Sequence, residues 1–332
     1  MSRARLAFAL GLALIAGCDE TRRIPGATGG GGGGTRADAG TRADGAIDDA
    51  TDEPGDGGAA HDGGASETPG DGGARDAGAS DPPRPDAGSG GTISGTVYLF
   101  QQQLLGQRSA NLAAAFIRGV FDASACTTRA EGPCQITMCT PSGAPTIEPL
   151  DGGEVRARAG AQSFVTRFDA AQRAYVPASG TWVVAGTSVS FEVAGRGAIP
   201  ALSATLTTPA ELTLRQPEIT TPNERLPIAP NSALDLAWGG EGPGQVSVSL
   251  SAGTEGGPSV STQCLFSLAA RRGQIPASVL GALAGVADEA SMYVGSTAST
   301  RTQQGGVDVT FSLLTAGRSA TGALTVATLV LR

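Results

Sequence analysis

Five cysteines, one histidine and a scatter of carboxylates are the side chains of this 332-residue chain with chemistry to offer. Lysine is absent, so all 23 basic residues are arginines. That removes Schiff-base lysines, Ser-Lys dyads and phosphate-binding P-loops. The only histidine, His61, stands in a Gly/Asp-rich stretch, and none follows Thr92. Ser-His-Asp and Cys-His catalysis are therefore excluded from residues 92–332. Zinc binding lacks both its histidines and any C-x-x-C spacing there. Two-carboxylate hydrolysis needs only a pair of Asp or Glu. Glu148, Asp151, Asp169, Asp288 and Glu289 are candidates. No spacing singles out a pair, so no catalytic residue, metal ligand or cofactor contact is assigned. Arg156 and Arg158 share one face of a strand pattern, where paired guanidiniums suit an anion. The competing reading is a solvated face whose charges deter edge-to-edge pairing, and it is preferred.

Cys18 differs from the other four cysteines in its setting. Arg3 and Arg5 precede an apolar run from Leu6 to Ala16, followed by Gly17 and Cys18. This is the layout of a secretory signal, and it is shorter than the ~20 apolar residues a membrane span needs. Ile15-Ala16-Gly17-Cys18 resembles the lipobox of bacterial lipoproteins. The resemblance implies cleavage before Cys18, lipids on that cysteine and attachment to a membrane of the cell envelope. More than one acyl chain then anchors the protein stably.

Residues 18–91 read as a disordered tether. Between 19 and 91 no aromatic residue occurs, and Gly supplies 21 of 73 positions. Such a chain cannot bury enough apolar surface to offset its ordering entropy. Asp-Gly-Gly-Ala recurs from Asp56, Asp62 and Asp71, without the closing Glu or apolar repeats of calcium loops. The charge is concentrated here: 19–91 carries −9 of the chain's net −8, offset mainly by Arg3 and Arg5. Residues 92–332 are near neutral, which gives no support to nucleic-acid binding. A Gly-rich coil of this length spans about 45–50 Å and holds whatever follows away from the membrane.

From Thr92 the pattern becomes period-2. Ile93, Val97 and Leu99 alternate with Ser94, Thr96 and Tyr98. Further strands are expected at 113–121, 135–140, 154–159, 162–168, 181–185, 187–194, 202–206 and 211–214. Later rows include Leu234-x-Leu236-x-Trp238, Val246-x-Val248-x-Leu250, Val260 to Leu268, Val307 to Leu313 and Leu324 to Leu331. Pro276 opens a helix with Val279, Leu280 and Leu283 on one face. Many short strands punctuated by Gly and Pro indicate an all-β fold. One or two Ig-like β-sandwich domains are expected after the linker, divided as 92–216 and 217–332 at the proline-rich stretch from Pro217 to Pro230. Trp182 and Trp238 are expected in the core.

Four cysteines, Cys126, Cys134, Cys139 and Cys264, remain in this region. An even number in an oxidising compartment implies two disulfides, for which three pairings exist. Gly132 and Pro133 suggest a loop closed by Cys126–Cys134, with Cys139–Cys264 joining the two halves.

Anchor, Asp/Gly/Ala spacer and Ser/Thr/Val-rich β head together resemble secreted lipoproteins of the myxobacterial kind. The resemblance brings no activity and no residue roles. The expected function is non-catalytic binding of an envelope protein or glycan. The alternatives are a structural part of an envelope assembly and, behind it, a two-carboxylate hydrolase. A Cys18→Ala variant should move from the membrane pellet to the soluble fraction, and mass analysis of native protein should find lipid on Cys18. Native protein still carrying Met1 would refute the anchor.

Overall fold

The computed structural model describes residues 92–104, 106–119, 126–140, 147–254 and 257–332. The expected signal segment, the expected lipidation site Cys18, the expected tether and His61 lie outside the described residues. The described residues belong to one compact unit.

The first part runs through β1 (Ile93–Leu104), β2 (Gln107–Gly119), β3 (Cys126–Glu131), β4 (Cys134–Cys139), β5 (Ile147–Pro149), β6 (Val155–Ala159) and β7 (Gln162–Thr166). It continues through β8 (Phe168–Asp169), β9 (Ala174–Tyr175), β10 (Ala178–Gly180), β11 (Ser188–Val193), β12 (Leu202–Thr207) and β13 (Thr213–Gln216). Then come β14 (Glu224–Ile228), β15 (Leu234–Gly239), β16 (Gln245–Gly253), β17 (Ser259–Ser267), β18 (Arg272–Ile275) and helix α1 (Ala277–Ala284). The chain closes with β19 (Glu289–Gln304), β20 (Val307–Ala316), β21 (Arg318–Ser319) and β22 (Val326–Leu331).

The all-β expectation holds. A twelve-stranded sheet follows the order β10-β2-β1-β20-β19-β16-β17-β4-β3, with β5, β14 and β22 attached beside it. Two four-stranded sheets, β12-β11-β6-β7 and β18-β15-β13-β21, complete the layers. One core gathers Val97, Leu99, Phe116, Phe164, Phe191 and Phe311. The other gathers Ile136, Leu214, Trp238, Val248, Leu280 and Met292.

Both cores lie on the same face of the large sheet. In β19, Met292 and Val294 stand opposite Leu250 and Val248, and Ala298 and Thr300 stand opposite Leu313 and Phe311. These are alternate residues of one strand, so their side chains share one face. The fold is thus two sandwiches side by side on a common sheet.

This arrangement corrects the division at 216/217. Val307, Val309, Phe311 and Leu313 complete the core built otherwise from residues before 207. Cys134 and Ile136 belong to the core built mainly from residues after 209. The reason is pairing: β1 runs parallel to β20, and β4 runs antiparallel to β17. Neither partner is marked by local sequence.

β19 is the shared strand. Glu289 to Tyr293 pair with β22, and Gly295 to Gln304 pair with β20, on the same edge. Val294 sits at the change of partner, where its N–H donates to the Thr325 carbonyl and its own carbonyl accepts from Gly317 N–H. The Thr325 hydroxyl donates to that same carbonyl at 2.5 Å. Gly295 follows because a Cβ there would lie 2.7 Å from the Thr315 oxygen. The β19–β20 turn uses Gly305 and Gly306 at φ +59° and +77°, the left-handed pair that a two-residue hairpin prefers.

Other expectations fare unevenly. α1 forms where expected and buries Val279, Leu280 and Leu283 completely. Residues 181–185 are not a strand. Val183 is buried there, but its N–H donates to the Gln101 side chain at 2.6 Å instead of a strand carbonyl. Trp238 is core, 1% exposed, with its indole N–H donating to the Leu268 carbonyl. Trp182 is only half-buried and lies beneath the Arg108 guanidinium, 4.9 Å from its ring centre. That corrects its expected place in the core: the neighbouring Val183 takes the interior position.

Phe311→Ala should therefore destabilise a core otherwise made from the first half of the chain by about 3–5 kcal/mol. Equilibrium denaturation of the purified protein measures it. A loss below about 1 kcal/mol would contradict the shared core.

Candidate functional site

The buried face of the twelve-stranded sheet is committed to the two cores. Its opposite face carries small hydroxyl side chains, because β16, β17 and β4 alternate apolar residues with Ser, Thr and Gln. Register places these residues side by side. Thr328 stands opposite Ser291, and Ser291 opposite Ser251. Ser251 stands opposite Ser261, Ser261 opposite Thr137, and Thr137 opposite Thr128.

Six hydroxyls therefore cross six adjacent strands in one row, about 24 Å long at the usual strand spacing. Thr128 and Ser291 are exposed and the other four half-buried. Ser251, Ser291 and Thr328 border a shallow depression with Gly253 and Glu289. At one end the row meets Arg225, opposite Thr328 and paired with Glu289. At the other end Arg129 and Glu131, 3.8 Å apart, stand opposite Ile136 and Cys134 and so belong to the other face of β3. With its flanking charges matched, the row is electrically neutral and can both donate and accept hydrogen bonds.

The next row holds Tyr293, Ser249, Gln263 and Gln135. Gln263 donates to Ser247 at 3.3 Å, and the hydroxyls of Thr128 and Thr137 are 3.2 Å apart. Tyr293 leans over Gly295, its ring centre 6.3 Å from that of Phe100. Burial pushes the Tyr293 phenol well above its ordinary range. Its buried hydroxyl has no hydrogen-bond partner.

Four of the five candidate carboxylates are taken up by arginines or backbone amides. Glu148 is bound by Arg118, Asp151 by Arg196 and the Gly153 amide, and Glu289 by Arg225. Asp169 closes a turn by accepting from the amides of Ala171 and Gln172, which hold its carboxyl below the usual range. Among the described residues, no three His, Cys, Asp or Glu side chains converge as a metal site would require.

Arg156 and Arg158 do not act together. Arg156 is taken up by Glu154, which also binds Arg167 at 2.7 Å. Hydrogen bonds from Arg167 and then Arg156 hold Glu154 below its ordinary range. Arg158 is exposed between Ser163 and Ser190. Their strand, β6, lies inside its sheet between β11 and β7, so its charges guard no free edge.

All four cysteines expected in disulfides are in disulfides, but the pairing differs. Cys126 bonds Cys139, and Cys134 bonds Cys264. The segment after Cys126 is a strand, β3, which makes a hairpin with β4 and sets Cys126 opposite Cys139. Cys134 is opposite Cys264 across the β4–β17 pair. Register therefore decides the partners, and the expected Cys126–Cys134 loop does not exist. The Cys134–Cys264 bond still joins the two parts of the chain, within one sheet.

Comparison with known protein families and with curated proteins gave no match. Fold and surface define an all-β protein of two sandwiches on a shared sheet, with a neutral hydroxyl face.

Electrostatics predicts one pH effect. Arg301 grips Asp308 with two nitrogens, one at 2.6 Å, and holds its carboxyl below the ordinary range, with Gln303 assisting. A carboxyl depressed on folding stabilises the fold fully above its unfolded pKa, about 3.9, and loses that contribution as pH falls through the depressed value. Asp308→Asn should flatten the acid limb of the stability curve below about pH 4. Thermal melts from pH 2 to 7 test it, and an unchanged acid limb contradicts it.

Proposed function

We propose that this protein is a lipid-anchored component of the bacterial cell envelope whose β head binds a protein or glycan without catalysis. Cys18 supplies the attachment, and residues 18–91 supply reach. The observation that carries the binding reading is the six-strand row from Thr328 to Thr128. A neutral row of hydroxyls offers alternating donors and acceptors without a charge to select an ion. A neutral glycan chain matches this chemistry more closely than an acidic polymer does. The tether lets the head search a radius of several nanometres around its anchor.

A structural role in an envelope assembly is the second reading, favoured by one feature. Among the described residues, β3 pairs with β4 alone and ends the large sheet, and four of its six residues are exposed. A partner strand could extend the sheet there.

The test uses the mature chain with Cys18→Ser, made soluble, against isolated envelope material. Binding is expected, with at least a tenfold loss for Ser251→Arg/Ser261→Arg. Protease treatment of the envelope removes a protein ligand, and periodate oxidation removes a glycan. No binding, or equal binding by the double variant, overturns the reading.

A further inference from the structure

The two disulfides occupy neighbouring positions on the same sheet but different environments. Cys134 and Cys264 are 2% and 0% exposed and form part of a hydrophobic core. Cys126 and Cys139 are both half-buried. Their topologies differ as well. Among the described residues, β4 and β17 are held on both sides by neighbouring strands, whereas β3 is held on one side. Besides their ladder, β3 and β4 are linked by the Thr128–Thr137 hydroxyl contact and by the disulfide itself.

Thiol–disulfide exchange requires a thiolate to reach one sulfur of the bond, so access selects which bond reacts. We propose that Cys126–Cys139 is a thiol–disulfide exchange site that latches the terminal strand β3, while Cys134–Cys264 is a permanent structural bond. The co-reactant is a dithiol. One of its thiolates attacks a sulfur of Cys126–Cys139, forming a mixed disulfide and releasing the other cysteine as a thiolate that takes up a proton. The second thiol of the donor then attacks the mixed disulfide. The second cysteine leaves as a thiol and the donor becomes a disulfide. Two electrons and two protons pass from donor to protein.

The consequence is conformational. With the covalent link gone, β3 is a six-residue strand with a single neighbour among the described residues, and most of its side chains face solvent. Such an edge opens far more readily than the interior of the sheet. Opening removes Thr128 from the hydroxyl row and uncovers the outer edge of β4. The exchange site stands independently of the proposed binding function, since it rests on burial and topology alone.

Dithiothreitol is the probe, applied to the mature chain with Cys18→Ser in native buffer, with iodoacetamide trapping and peptide mapping. Cys126 and Cys139 should label at a dithiothreitol concentration at least tenfold below that needed for Cys134 and Cys264. The near-ultraviolet signal of buried Trp238 should persist through the first step. Simultaneous labelling, labelling of Cys134 and Cys264 first, or no labelling before global unfolding would each overturn the assignment. The Cys126→Ser/Cys139→Ser variant adds a second check. It should retain a cooperative melt and leave Cys134 and Cys264 unlabelled under conditions that label the first pair in the parent. Loss of folding in that variant also overturns it.

Discussion

The pairing of β19 with two successive partners along one edge is the constraint on which the fold depends. A strand of sixteen residues is long enough to border both cores. Its change of partner at Val294 leaves backbone groups that have no regular ladder to join. Thr325 and Gly317 satisfy them, and Thr325 is fully buried while doing so. An unpaired amide at that depth would cost on the order of 1–3 kcal/mol, so the junction requires these partners. Gly295, one residue on, allows the Thr315 carbonyl to approach where a methyl group would collide.

Polar groups inside the cores serve the same end. Gln101 is 1% exposed, yet its side chain donates to Thr315 and accepts from the Val183 amide. It fixes the segment after β10 against β1 and β20 at once. Ser296, on β19, donates to the Ala210 carbonyl and ties the strand to the segment entering β13. Nearer the surface, Glu211 accepts from both Arg108 and Arg318, joining the β2 region to β21. Each of these links spans at least 80 residues of sequence, and each is paired, so none leaves a buried polar group exposed to a low-dielectric interior.

With one face of the large sheet given to two cores, the other face is free to carry polar side chains. Register across β22, β19, β16, β17, β4 and β3 turns scattered serines and threonines into a row. The disulfides follow the same geometry, since each joins residues placed directly opposite by strand pairing. The surface chemistry and the cysteine chemistry are therefore consequences of pairing, and neither needs a pocket.

Much was legible in the chain alone. Alternation in Val246-Ser247-Val248-Ser249-Leu250-Ser251 identified a strand and its two faces, because side chains on a strand point to opposite sides in turn. The absence of lysine, and of histidine after Thr92, removed whole classes of chemistry, and cysteine parity implied two disulfides. The acids Glu148, Asp151, Asp169 and Glu289 had no recognisable pairing, and the fold gives them arginines or backbone amides. Tertiary structure alone decided which strands are neighbours. Local sequence fixes the face a residue occupies, whereas partner choice depends on which strands come to lie side by side and in what register. For that reason β20 completes the core of the first half, Cys126 meets Cys139 and not Cys134, and six separate hydroxyl residues come to share one line.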